Sequence, residues 1–298
     1  MDFKPPRSYK EQLQIIKDRG CIIDDECECI AVLESVNYYR LSAYFLPFKN
    51  KNNTYKGKLS FNRVYSIYEF DRKLRSILLT ALEEIEIFLR AKIAYFHVHK
   101  YTPIGYTLSK NFYKCTDDKK HIQKKKKFHE KFIESLNREI KNNEKVLFVK
   151  HHINKYKGNF PMWVASEIFT FGMLSIFFSN LKLEDKKALS RDIYNTIPKN
   201  IESWLRCCTD IRNICAHYGR LYFRTFTAIP AGIKCIDEKS NRRLWGAVFA
   251  IKKLYPFKDK WNDEILKKLI SIVEEHKKYI DLEHIAFPND WNALLIKL

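Results

Sequence analysis

A short run late in the sequence brings an arginine, an amide and a histidine within six positions. The run covers residues 210–222 and contains Arg212, Asn213 and His217. An imidazole can take or give a proton at neutral pH, and an arginine fork can hold a phosphate and offset charge on its oxygens. RNA supplies its own nucleophile, the 2′-hydroxyl. The residue types therefore suit RNA cleavage without a metal ion or a cofactor, with His217 as general acid or base and Arg212 as phosphate clamp.

The apolar residues around this run recur at helical spacing. They form a predicted buried stripe of Ile201, Trp204, Leu205, Cys208, Ile211 and Cys215. Asn213 and His217 then share one exposed face, whereas Arg212 and His217 lie about 140° apart around the axis. They converge if the arginine reaches around, if the helix ends near Ala216, or if a second copy supplies the missing partner. Gly219 suits a helix C-terminus.

Spacing alone is a weak signal, because an arginine five positions before a histidine also arises by chance. A second pair, Arg90 and His97, is seven positions apart and shares one helical face, which is a better geometry. Taken from the residues alone, this pair competes with the first, and Arg90 and Glu86 at i,i+4 spacing predict an ion pair that steadies the bundle. The same long helix carries Asp71, Arg72 and Arg75, for which structural and RNA-lining roles both stay open.

Residues 212–217, followed by Arg220-Leu221-Tyr222, resemble the signature of bacterial abortive-infection proteins of the AbiD/AbiF type. That family belongs to the HEPN superfamily of helical ribonucleases, whose hallmark is an arginine four to six positions before a histidine. Other blocks resemble the family in the same order along nearly the whole chain. They are residues 4–20, 37–48, 68–75, 85–90, 161–172 and 287–291.

The resemblance implies a HEPN-type helical bundle and a homodimer in which two motifs face each other. Residues 1–55 would form an N-terminal helical segment, 56–225 the core with a basic insertion near 115–159, and 226–298 the C-terminal helices. It further implies a toxin-like endoribonuclease in phage defence, which a structured RNA antitoxin can restrain. Asn213 would position His217 or the phosphate, with Tyr218 and Arg220 shaping the RNA groove.

The charge of the chain fits a polyanionic partner. Lysine and arginine total 54 against 35 acidic residues, a net charge of +19. The most cationic stretch, 119–159, includes Lys124, Lys125, Lys126 and Lys127 with interleaved aromatics, which suits RNA binding. The alternative is a solvated helix pair with a lysine face. Only 8 glycines and 9 prolines occur in 298 residues, and long Lys/Glu/Leu/Ile-rich stretches favour an all-α fold.

The eight cysteines favour reduced thiols over a disulfide scaffold or a metal site. Cys21, Cys27 and Cys29 have half of a zinc-site pattern, but no second pair of ligands has metal spacing. The first residues show no signal peptide, so we expect a cytoplasmic protein. The apolar run 160–178 contains Glu167, which favours a buried helix over a membrane span. We expect Arg212 or another core arginine to pair with Glu167, which would then orient the site.

Hydrophobic periodicity predicts the main helices. The strongest covers 62 to about 99; others cover 160–181, 200–218, 240–255 and 259–279. Residues 225–239 predict a loop with a possible short hairpin, and 281–298 a turn that docks on the bundle.

Two other classes of function compete with the nuclease. One is an RNA-binding protein without catalysis, in which the motif grips a phosphate. The other is an interaction protein that senses phage components through the C-terminal helices.

Overall fold

A computed structural model describes residues 5–232 and 238–297, and within them every regular element is helical. Pairing of extended backbone is limited there to two isolated bridges, Ile22 with Ser60 and Lys49 with Tyr55. The helices as far as the motif are α1 (Tyr9–Asp18), α2 (Glu26–Ser35), α3 (Tyr38–Phe45), α4 (Phe61–Lys100), α5 (Lys119–Asn142), α6 (Leu147–Lys155), α7 (Met162–Ile168), α8 (Phe171–Asn180), α9 (Leu183–Tyr194) and α10 (Pro198–Ala216). The predicted all-α class is confirmed.

The C-terminal part continues the helical bundle. Its elements are α11 (Glu238–Asn241), α12 (Leu244–Leu254), α13 (Lys258–Lys260), a π-helical segment (Trp261–Leu266), α14 (Lys267–His276) and α15 (Trp291–Lys297). The stretch from α13 to α14 corresponds to the predicted helix 259–279. Trp291 is buried, so the chain end docks on the bundle as expected.

Helix α4 is the central element. Its 40 residues span about 60 Å, and its N-cap Ser60 accepts a hydrogen bond from the N–H of Arg63. Leu74, Leu78, Leu82 and Ile85 belong to the buried stripe that runs along it. Helices α7, α8, α10, α12 and α14 all pack against it. The predicted helix 62 to about 99 is therefore confirmed to within a residue or two at each end.

The apolar run 160–181 forms two helices, so the prediction of one helix was wrong. Helix α7 ends at Ile168, and α8 begins at Phe171. The side chain of Thr170 accepts the N–H of Met173 at 3.2 Å, which caps α8 and satisfies a donor that has no partner inside the helix. None of the described helices combines the length and the hydrophobicity that crossing a membrane requires.

Helix α10 carries the motif and matches the predicted pattern. Pro198 stands at its first turn, where a missing N–H costs nothing. The whole predicted stripe, from Ile201 to Cys215, is buried. The helix packs on α12, α8, α4 and α9. The face that carries Arg206 and Asn213 is open to solvent.

The N-terminal and C-terminal segments share one hydrophobic core with the central helices, and it runs from Leu13 to Leu295. Ser8 caps α1 through a reciprocal capping box with Glu11. The division at 55 and 225 stays a prediction. Residues 225–232 form no strand, and the rest of the expected hairpin, 233–237, lies outside the described residues.

Each described cysteine is a free thiol. Burial raises the pKa of Cys21 to about 12 and that of Cys29 to about 11, while Cys27 is exposed. No group of three metal-ligating side chains occurs among the residues that the structure describes. Cys235 lies outside them.

Candidate functional site

The motif lies where α10 ends at the protein surface. His217 is the C-cap residue, with φ −96° and ψ 18°, and its N–H donates to the carbonyl of Asn213. Tyr218 then takes a left-handed conformation, with φ 56°. The N–H of Gly219 closes the turn on the carbonyl of Ile214 at 2.7 Å. The helix thus ends at Ala216, which is one of the conditions under which Arg212 and His217 can converge.

Gly219 serves this turn in a different way from the usual helix-terminating glycine. The left-handed residue is Tyr218, not Gly219. A Cβ on Gly219 would lie 2.9 Å from Cγ2 and 3.2 Å from the carbonyl oxygen of Ile214. The glycine is required because the chain passes so close to the last helical turn.

The three polar motif side chains extend from this helix end. Asn213 and His217 are exposed, and Arg212 is half-buried at the margin of the buried stripe. Within the described part of the chain, none of the three side chains makes a hydrogen bond or an ion pair. A polar side chain that the fold does not use remains available for a ligand. The helix places Asn213 and His217 one turn apart on one face, as predicted.

A buried carboxylate fixes the chain that follows the motif. Asp71 of α4 is fully buried and accepts the N–H groups of Leu221 and Tyr222. It also accepts the hydroxyl of Tyr44 of α3 at 2.7 Å. The guanidinium of Arg75 donates to the Asp71 carboxylate at 2.7 Å and to the carbonyl of Gly219 at 3.3 Å. Two helices thereby hold residues 219–222 in place.

The electrostatics of this pair follow from its burial. Burial raises the pKa of Asp71, while the Tyr44 hydroxyl and the charge of Arg75 act in the opposite direction. For Arg75 burial is the largest single influence and acts to lower the pKa, but the charge of Asp71 and the hydrogen bond to Tyr44 together raise the pKa above its ordinary value. We take the pair as ionised, because the carboxylate receives a guanidinium, a hydroxyl and two N–H groups. An ion pair satisfied in this way rigidifies its surroundings.

Two arginines attach the same loop to α3. Arg40 donates to the carbonyl of Tyr218 at 2.7 Å and lies 5.9 Å from the centre of its ring. Arg220 donates to the carbonyl of Ala43 and lies over the rings of Tyr44 and Phe223. Burial lowers the pKa of Arg220. Arg220 thus anchors the loop, and its predicted contact with RNA stays a prediction. Tyr218 is 67% exposed and is open to a ligand.

The structure separates the roles of the three charged residues of α4 that the sequence left open, Asp71, Arg72 and Arg75. Asp71 and Arg75 are buried structural residues, whereas Arg72 is exposed and pairs with Glu69 at 2.7 Å. The anchoring role of Asp71 and Arg75 was not predicted from the sequence. The available signal was their position, since both replace apolar residues on the stripe that includes Ile67, Leu74 and Leu78.

Glu167 pairs with Arg90, so its partner is the second of the two predicted alternatives, another core arginine, and not Arg212. Its side chain is 59% exposed, and its cation is Arg90, with Nη1 3.7 Å from the carboxylate. The prediction of burial was wrong, because α7 is a separate short helix that turns this position outward. No hydrogen bond or ion pair joins Glu167 to Arg212 in the described structure. The role of Glu167 in orienting the motif stays a prediction.

The second arginine–histidine pair lies in the core. Arg90 pairs with Glu86 at 2.5 Å, which confirms the predicted ion pair, and donates to the carbonyl of Phe169. His97 is fully buried against Tyr101, Phe112 and Phe177. Burial lowers its pKa to about 4, against a weaker opposing effect of Asp185. A neutral imidazole sealed in this way does not reach a substrate.

The four predicted RNA-binding lysines of α5 differ in their surroundings. Lys124, Lys126 and Lys127 are exposed. Lys125 is half-buried and donates to the carbonyls of Asn180 and Leu181, which end α8. Lys126 also lies over the ring of Tyr113. Three of the four ammonium groups therefore reach solvent, and RNA contact stays a prediction for all four.

The fold and the site together define an all-α protein with a polar motif at an exposed helix end, where the motif side chains have no partner among the described residues. A family model described as "Abi-like protein" matches residues 31–223. This is more than half of the chain, and the chain belongs to that family, which supports a role in abortive infection. The matched region includes α3, α4 and α10, the three helices that build and anchor the motif. A comparison with curated proteins and one with solved structures gave no match.

Proposed function

We propose that this Abi-like protein is a metal-independent endoribonuclease toxin, with Arg212 and His217 as its catalytic residues. The observation that carries the proposal is the exposed end of α10. Three polar side chains project there without partners in the described structure, above a loop that a buried ion pair holds rigid. Rigid positioning of exposed polar groups is a usual property of catalytic sites.

The chemistry is an internal transfer at phosphorus. His217 takes the proton of the 2′-hydroxyl, and the freed 2′-oxygen attacks the adjacent phosphorus. The bond from phosphorus to the 5′-oxygen breaks, and that oxygen accepts a proton as it leaves. The products carry a 2′,3′-cyclic phosphate and a 5′-hydroxyl. Arg212 offsets the charge that develops on the phosphoryl oxygens, and Asn213 positions the imidazole or the phosphate.

One chain supplies one motif imidazole, whereas the reaction uses both a base and an acid. Arg212 and His217 also lie on sides of the helix about 140° apart. A two-fold dimer with the two α10 ends facing each other would bring a second histidine and a second arginine to the same phosphate. We therefore propose a homodimer with a composite site.

The proposed partners are RNAs. A net charge of +19 favours binding of polyanions, and exposed lysines continue along α5. A toxin of this kind requires restraint, and a structured RNA is the antitoxin that this charge suits best. Purification of the protein from its own cells, followed by sequencing of the RNA that accompanies it, tests this assignment.

The nuclease is tested with purified protein, total RNA and EDTA. We expect wild-type protein to cleave, and His217→Ala and Arg212→Ala to lower the cleavage rate by at least about 100-fold. His99→Ala and Arg191→Ala are matched controls, because both side chains are exposed and lie outside the motif. Equal cleavage by all five proteins would refute the nuclease. Intact RNA with retained binding would favour an RNA-binding protein without catalysis.

The composite site is tested by mixing the two inactive variants. A dimer of one Arg212→Ala chain and one His217→Ala chain retains one intact arginine and one intact histidine. If these meet in one pocket, co-expressed and co-purified mixed dimers recover part of the activity. Mixed dimers as inactive as either parent would contradict the shared pocket and leave the assignment of the residues intact.

A further inference from the structure

A second feature of the surface lies beside the motif on the same helix. It is a cleft of about 990 Å³ between α5, α8, α9, α10 and residues 227–229. We refer to it as the α5–α10 cleft. Helix α10 lines it with Lys199, Glu202, Ser203 and Arg206. The motif residues Arg212, Asn213 and His217 are not part of its lining.

The α5–α10 cleft is strongly cationic. It is lined by seven basic side chains and two acidic ones, Asp117 and Glu202, so seven minus two gives a net charge of +5. Some of the cations are used by the fold, as when Lys186 pairs with Glu202. Lys124, Lys199 and Arg206 are exposed and form no hydrogen bond or ion pair within the described residues. Three free cations from two helices thus face one cleft.

The half-buried Lys125 adds to the positive potential of the cleft. Its ammonium group satisfies the carbonyls that end α8. Burial first, and then the neighbouring charge of Lys186, lower its pKa to about 8. An anion in the cleft would offset this repulsion between cations. The local field therefore favours a ligand with negative charge.

Apolar side chains stand between the cations. Phe128, Ile176 and Ile229 line the cleft and are each more than 40% exposed. Phe128 follows Lys124 by one helical turn on α5, so a ring and an ammonium group share one face. Alternating cations and exposed apolar surface suit a ligand that has both phosphates and flat bases.

The cations are spaced for several phosphates and not for one. Lys199 and Arg206 are seven positions apart, which is about 10 Å along the helix and about 20° around it. Side chains that extend in parallel from these two positions would contact different phosphates of one strand. The next position in this series is Asn213 of the motif, again seven residues on, followed one turn later by His217. A strand along this face would pass from the cleft to the motif.

We infer that the α5–α10 cleft docks a single-stranded segment of RNA and directs it along α10 toward Asn213 and His217. Docking follows from the charge and the exposed aromatic side chain. The direction toward the motif rests on the proposed nuclease. Docking in the cleft does not require that the bound strand is cut.

The test measures binding of a labelled 12-nucleotide single-stranded RNA to the His217→Ala protein as a function of salt. The cleft variant additionally carries Lys124→Ala, Lys199→Ala and Arg206→Ala. Its matched control carries Lys51→Ala, Lys268→Ala and Arg191→Ala, three exposed cations outside the cleft. Loss of three phosphate contacts lowers the slope of log Kobs against log salt by about 2, and the control keeps the slope of the parent. Phe128→Ala weakens binding by about tenfold, and Tyr95→Ala, another exposed ring, does not.

Unchanged affinity and slope in the cleft variant would overturn the inference, as would equal binding of ATP and of the RNA strand. Different results would refute the proposed nuclease and the proposed docking site. Wild-type cleavage with no effect of the cleft substitutions removes the docking site alone. Strand binding that depends on the cleft, in a wild-type protein that leaves RNA intact, removes the nuclease alone.

Discussion

The two arginine–histidine pairs of this chain show how little spacing says about chemistry. Arg90 and His97 share one face of α4, whereas Arg212 and His217 lie about 140° apart on α10. The well-aligned pair is structural, with His97 fully buried and Arg90 held by Glu86. The poorly aligned pair lies at a helix end that is open to solvent.

The alignment of Arg90 and His97 on one helical face explains why this pair is buried and the other is not. Residues seven positions apart on a central bundle helix face the same neighbours, and His97 belongs to the buried stripe of α4, which packs against other helices. Arg212 and His217 lie off the buried stripe of α10, at the end of the helix, and therefore stay accessible to solvent. The useful signal is therefore the relation of a polar pair to the apolar stripe, more than the distance between its members.

The largest expected effect comes from removing the anchor of the exposed pair. Asp71→Ala leaves the Arg75 guanidinium, the Tyr44 hydroxyl and two N–H groups without their acceptor. We expect a loss of about 3–5 kcal/mol in the free energy of unfolding, measured by urea denaturation. The control Asp192→Ala removes an exposed carboxylate and should change stability by less than about 0.5 kcal/mol. Similar losses in both variants would contradict the anchoring role.

The second largest expected effect is a pH dependence of stability that comes from the buried His97. Burial holds His97 neutral, with a folded-state pKa of about 4 against about 6.5 for an exposed histidine. The part of the folding stability that depends on a neutral His97 is fully present above pH 6.5 and is lost as the pH falls toward 4. Between pH 7 and pH 5 it amounts to about 2 kcal/mol.

His97→Phe keeps the ring and removes the titrating group. Urea denaturation at pH 7 and pH 5 should show a smaller loss of stability on acidification than in wild type. His99→Phe, at an exposed neighbouring position, should leave that loss unchanged. An identical pH dependence in His97→Phe and wild type would show that His97 is not the buried neutral group described above.

The smallest expected effect tests the turn after α10. Gly219→Ala places a methyl group 2.9 Å from Cγ2 of Ile214 and forces the turn to shift. We expect about 1 kcal/mol of destabilisation and a larger relative loss of cleavage, because the displaced residues include His217. In the control Gly172→Ala the new methyl lies at an ordinary 3.6 Å from Thr209, so stability and cleavage should both stay at the wild-type level. Unchanged cleavage in Gly219→Ala would show that the geometry of this turn does not matter.

Much of the fold could be predicted, because the spacing of apolar residues in a long helix identifies the face that is buried. The stripe of α10 from Ile201 to Cys215 and the extent of α4 follow from periodicity alone. The break between α7 and α8 did not, because it depends on the single side-chain cap of Thr170 inside a continuous apolar run. Periodicity records hydrophobicity and does not register a hydrogen bond to the backbone.

The candidate site was predictable in its exposed half only. Asn213 and His217 lie off the stripe, which the sequence states directly. The partners of Arg40, Asp71 and Arg220 are set by how α3, α4 and the loop after α10 meet, at separations of 150 residues or more. For Glu167 the sequence left two partners open, Arg212 or another core arginine, and the structure places Arg90 beside it. A charge in sequence shows that a partner is needed and does not identify it.

The most direct test of the central claim compares His217→Ala with His97→Phe in one experiment. RNA cleavage in EDTA and the Tm at pH 7 are measured for both variants and for wild type. We predict that His217→Ala loses at least about 100-fold in cleavage and keeps its Tm within about 2 °C, while His97→Phe still cleaves. Cleavage by His217→Ala at the wild-type rate would contradict the account, because the exposed histidine would then have no part in the chemistry.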